Sequence, residues 1–103
     1  MKGIYPNIQE VTIIPQKSSQ NDHRLGVVAI IVKNPDQSYN RLNDLLHNYS
    51  HIIVGRLGLP YRERNLSIIS LIVDGNTDEI GAMTGKIGQL ADVTVKTAFA
   101  KMD

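Results

Sequence analysis

Apolar positions along this chain switch between two periods, and each switch marks the border of an element. In Asn76 to Thr97, NTDEIGAMTGKIGQLADVTVKT, residues Ile80, Met83, Ile87, Leu90 and Ala91 recur at helical spacing, whereas Val93, Val95, Thr97 and Phe99 alternate with Thr94, Lys96 and Ala98 at strand spacing. The spacing predicts a helix followed at once by a strand. Asn76 or Thr77 can cap the helix by accepting backbone N–H bonds, and Asp78 and Glu79 place negative charge where the helix dipole favours it.

Earlier in the chain the same alternation of periods recurs. Arg24 to Lys33, RLGVVAIIVK, is apolar on both alternating sets and predicts a strand buried on both faces. Asn34 and Pro35 supply a helix start, with Asn34 as cap and proline where its missing N–H costs nothing. Tyr39, Leu42, Leu45, Leu46 and Tyr49 then form one stripe, Arg41, Asn43, Asp44 and Asn48 take the wet side, and the helix is expected to stop near Ser50. Ile52 to Leu59 predicts a second strand in which Gly55 and Gly58 mark a bulge or a close backbone approach, and Pro60 to Asn65 reads as a polar connector. Leu66 to Val73 is a third strand, again apolar at nearly every position, and Asp74 and Gly75 turn the chain into the second helix.

The resulting order, βαββαβ, is the split pattern of an α+β ferredoxin-like sandwich: a four-stranded antiparallel sheet with two helices on one face. Helices cover only one face of such a sheet, so the other is expected to alternate to polar residues. Here Val28, Ile30 and Val32 stand back to back with Val27 and Ile31, and Ile69, Leu71 and Val73 with Ile68 and Ile72. Something must cover the second face, since burying each such side chain is worth about 1.5–3 kcal/mol. Self-association is the expected cover, giving a dimer or tetramer through the sheet face with Ile30 and Leu71 at the contact. The alternative is the N-terminal arm folding over its own sheet. That arm, residues 1–23, differs from the domain of residues 24–103: Val11 to Ile14 can form a short strand, but Pro6 and Pro15 bracket it and the polar run QKSSQND follows. A flexible arm or an added edge strand is expected there.

Composition narrows the function classes. One hundred and three residues suit one small domain. Eleven Lys plus Arg against ten Asp plus Glu leave a net charge of +1, without the basic face that phosphate binding requires, so direct nucleic-acid binding is not expected. The chain has no cysteine, hence no disulfide, thiolate nucleophile or thiolate metal site. Neither a signal peptide nor the ~20 apolar residues of a bilayer span is present, and the default expectation is a cytoplasmic protein.

The segments LLHNYS and GRLGLPYRERNLSIISLIVDGNTDEIGAMTGKIGQLADVTVKT, with DEIGAMTGKIGQL the most specific run, resemble the small ACT-like proteins proposed as regulators of the iron-only hydrogenase system. The resemblance covers Leu25 to Thr97. It implies an oligomeric ACT-like module, related in architecture to the regulatory domains of amino-acid and nickel sensors, that binds a small-molecule effector or a protein partner without a DNA-binding domain of its own. In ACT domains the amino-acid pocket favours a glycine-bearing turn between first strand and first helix; this turn reads KNPDQS, a departure that counts against amino-acid sensing.

Candidate sites remain few. His47 and His51 stand four apart, the spacing that sets two imidazoles on one helical face, and are the candidate metal ligands. Gly81, Gly85 and Gly88 form a second stripe on the last helix; each glycine costs ~1 kcal/mol there relative to alanine, which suggests a backbone approached closely by a neighbouring element, a subunit or a ligand. Arg56, Arg62 and Arg64, with Glu63 among them, surround the second hairpin and could hold an anion. No nucleophile elbow and no phosphate loop is present, and no cofactor is predicted, so a non-enzymatic module is expected. The competing class is a metal-binding or small-molecule-processing subunit with its site at a subunit interface.

Overall fold

A computed structural model describes residues 10–13 and 23–101. Its elements are β1 (Glu10–Ile13), β2 (Arg24–Lys33), α1 (Pro35–Asn48), β3 (Ile53–Tyr61), β4 (Leu66–Gly75), α2 (Thr77–Gly88) and β5 (Val93–Phe99), with 3-10 turns at Ser50–Ile52 and Arg62–Arg64. The strands form one antiparallel sheet in the order β1-β3-β4-β2-β5. Setting β1 aside, β3-β4-β2-β5 with two helices is the ferredoxin-like arrangement that the element order predicts.

Period-two alternation decides which residues meet the helices. Val28, Ile30 and Val32 of β2 and Ile69, Leu71 and Val73 of β4 are completely buried, packed with Leu42 and Leu46 of α1 and Ile80, Met83 and Ile87 of α2. Ile30 and Leu71 therefore belong to the helix-facing core, which corrects their expected place at a subunit contact. Their neighbours in sequence point to the other side. Across that outer face run three registers: Ile13, Gly55, Ile72, Val27 and Ala98; then Val11, Leu57, Ser70, Ala29 and Lys96; then Leu59, Ile68, Ile31 and Thr94. Val11, Ile13, Leu25, Val27, Ile31 and Ile72 are all exposed there.

Two local readings change. Asn34 does not cap α1: it sits in the left-handed region at φ 50° and its side chain makes no capping bond. Instead its Oδ1 accepts from Nδ2 of Asn65, 2.9 Å away, itself left-handed at φ 52°. Asn76 caps α2 as its sequence suggests, its Oδ1 accepting from the Glu79 N–H at 2.7 Å. Pro60 and Tyr61 lie inside β3, opposite Ser67 and Leu66, rather than in a connector. Among the described residues β1 pairs β3 from Gly55 to Gly58, and Pro60 lies beyond that stretch. The irregularity foreseen near the strand glycines falls between Ile53 and Gly55. No helix among the described residues is long and apolar enough to cross a membrane.

Candidate functional site

The first turns of α1 lie against the far ends of β3 and β4, and between them opens a cleft of about 450 Å³. Pro35, Asp36, Tyr39 and Asn40 form one wall, and Gly58, Leu59, Pro60 and Ser67 the other. The sequence makes room for it. Gly58 shares the helix-facing side with Ile69, and Pro60 with Ser67, so a glycine and a compact ring occupy places where larger side chains would fill the gap. Proline at the start of α1 removes one N–H from the rim. Among the described residues the lining carries one carboxylate (Asp36), one carboxamide (Asn40), a phenol (Tyr39) and a hydroxyl (Ser67), and no cation. Ser67 is 6% exposed, and its hydroxyl has no hydrogen-bond partner among the described residues.

None of the site residues expected from the sequence lines this cleft. Ideal Cβ atoms placed on Gly81 and Gly85 meet nothing within 4 Å, so this part of the glycine stripe packs on no element among the described residues; one on Gly88 would touch Val95 Cγ1 at 3.5 Å. The arginines separate. Arg56 lies half-buried on the helix-facing side of β3, donating from Nη2 to Asn43 Oδ1 at 2.6 Å, while Arg62 and Arg64 are exposed beyond the other end of the strand. Six residues of extended chain, roughly 20 Å, divide Arg56 from Arg62.

The histidines also part company. α1 ends at Asn48, leaving His47 exposed on its last turn and His51 in the following 3-10 turn. His51 Nε2 lies 2.6 Å from Glu79 Oε2 at the start of α2, and its ring stacks on Tyr49 with centroids 6.3 Å apart. Lys86 Nζ donates to the Tyr49 hydroxyl at 2.8 Å. The row Glu79, His51, Tyr49, Lys86 ties the end of α1 to α2. Among the described residues no group of three His, Cys, Asp or Glu could hold a metal ion. His23, uninterpretable from sequence, places Nδ1 3.1 Å from Asp74 Oδ1.

Sequence reasoning missed the cleft because its two walls come from segments eighteen or more residues apart. KNPDQS and LP each read only as punctuation, and Ser67 only as the polar position of an apolar strand. A signal was present in hindsight: a serine on the helix-facing side of a strand whose other positions there are apolar.

Comparison with known proteins places these features in context. Residues 24–97 match the TM1266-like family model, whose description reads "Iron-only hydrogenase system regulator, putative". The structure of uncharacterized protein TM1266 from Thermotoga maritima is similar, with a TM-score of 0.75 and 42% sequence identity over 77% of this chain and 99% of that one. No curated protein matches. β1 precedes the residues that the family model matches.

Proposed function

Because the chain belongs to the TM1266-like family, we propose that it is a regulatory module without catalytic chemistry of its own, whose output is association with a second copy of itself through the outer face of the sheet. The observation that carries this reading is the apolar outer face. Val27 and Ile72 sit directly opposite each other and are 46% and 49% exposed; Leu25, Ile31, Val11 and Ile13 extend the patch along and across the strands. Contiguous apolar surface of this kind marks an interaction site. The charges on this face, Lys33, Asp74 and Lys96, stand at strand ends or on the β5 edge, leaving an apolar centre with a polar rim. Such a patch is self-complementary about a two-fold axis, the commonest symmetry of soluble oligomers.

Light scattering and native mass spectrometry test it. The chain is expected to be larger than its 11.4 kDa monomer at micromolar concentration. The double variant Val27→Lys with Ile72→Glu is expected to be a folded monomer, because opposite charges on facing residues support the sheet while making the contact polar. A wild-type chain that runs as a monomer sinks the proposal.

A further inference from the structure

We infer that the cleft between α1 and the β3–β4 ends is a binding site for a small, flat, neutral or cationic molecule that presents N–H donors, an amidine, amide or amino-heterocycle rather than an anion. This deepens the regulatory reading and rests on it only for the consequence of binding, not for binding itself.

Three observations converge. The volume, about 450 Å³, lies in the range of small-molecule pockets. Its walls have the mixed character of such sites: Tyr39, Pro35 and Pro60 offer apolar surface suited to a planar group, and a few polar atoms converge at the edges. Within it stands Ser67, 94% withdrawn from solvent and without a hydrogen-bond partner among the described residues. The hydroxyl itself is not sealed off but keeps contact with the cleft, so a ligand there can replace water as its hydrogen-bond partner.

Charge selects the class of ligand. Among the described residues Asp36 is the only ionised side chain in the lining, and Arg62 and Arg64, although close in sequence to Pro60, are not part of it. A carboxylate or phosphate brought into the cleft would meet Asp36 without a cationic side chain to balance it. An amidinium would gain a charge-assisted hydrogen bond from the same group. Asn40 and the Tyr39 hydroxyl both donate and accept, and so tolerate either orientation of an amide. This donor-seeking lining is the reverse of the arginine-based anion site expected from sequence.

The test uses three isosteric probes, benzamidine, benzamide and benzoate, titrated into the full chain and followed by amide chemical shifts. Benzamidine is expected to bind saturably at about millimolar strength, fitting for so few atoms, with shifts centred on residues 35–40, 58–60 and 67. Benzamide should bind the same residues more weakly, and benzoate should not bind. Asp36→Asn should weaken benzamidine about tenfold and leave benzamide unchanged, as loss of one charge-assisted bond predicts. Ser67→Ala should weaken both ligands without lowering the melting temperature, since the hydroxyl bonds nothing within the described protein. Benzoate binding as tightly as benzamidine, shifts scattered outside the cleft, or indifference to both substitutions overturns the inference. Repeating the titration on the Val27→Lys, Ile72→Glu chain separates the two proposals. The cleft opens beside α1 and not on the outer face, so binding should persist whatever the assembly state, and its loss there would count against an independent site.

Discussion

Glycine shows how far a single residue can be read from its spacing. Gly81, Gly85 and Gly88 share a helical stripe, from which close packing was expected; spacing says which residues share a face but not what lies opposite, and opposite Gly81 and Gly85 there is open space. Gly85→Ala should therefore raise stability, by up to ~1 kcal/mol, since it removes the helix penalty without a new contact. Urea unfolding measures this, and no gain would mean that a partner covers the face. Gly75, read from the sequence only as part of a turn, ends β4 and has the opposite environment, because a Cβ there would come within 2.8 Å of Ile52 Cγ2. Gly75→Ala should destabilise by ~1–3 kcal/mol, as overpacking does. Had the two glycines been ranked from sequence, the stripe on α2 would have been judged the more sensitive; the long-range packing of Ile52 reverses the order.

At the scale of elements, both helices start with asparagine, and only one of those asparagines caps. Asn76 holds an extended backbone and satisfies the Glu79 N–H, so Asn76→Ala should cost ~1 kcal/mol by exposing that donor. Asn34 instead pairs with Asn65, joining the β2–α1 turn to the β3–β4 hairpin. Its backbone N–H also donates to the Asn65 carbonyl at 3.3 Å. A double-mutant cycle on Asn34→Gly and Asn65→Gly, which keeps both left-handed backbones unstrained, should return a coupling of about 0.5 kcal/mol or more, while Asn76→Ala should be additive with either. Zero coupling would show the side-chain bond to contribute nothing. The elements and their order were legible because apolar periodicity is local information. The Asn34–Asn65 link was not, because a side chain's choice between capping its own helix and bonding a distant turn is settled by tertiary geometry. Pro60 misled for a related reason: proline reads locally as the end of a strand, and only the pairing of β3 with β4 shows the strand running on through it to Tyr61.

For the whole molecule, near-neutral charge and two apolar sheet faces govern behaviour. A net charge of +1 releases few counterions on contact with phosphates, and gel shifts at physiological salt should show no sequence-selective submicromolar DNA binding. The faces give the sharper prediction. Because β2 and β4 are apolar at alternate positions on both sides, their sequences reveal that two faces are apolar without revealing which meets the helices, and the expectation that Ile30 and Leu71 form the outer contact failed on that ambiguity. The register resolves it. Ile30, opposite Ile69 and Val95, is fully buried, whereas the next residue, Ile31, opposite Ile68 and Thr94, is 38% exposed. Ile30→Asp buries an unpaired charge, a cost large against the ~5–15 kcal/mol that keeps a domain folded, and should give an unfolded or insoluble chain. Ile31→Asp should leave the circular dichroism and melting temperature close to wild type, because its carboxylate reaches water, yet it should lower the mass toward the monomer by setting charge within the proposed contact. Adjacent residues with identical side chains thus report on the two layers separately. If Ile31→Asp also unfolded the chain, the outer face would be part of the core of each subunit; if it kept the wild-type mass, assembly would not run through this face.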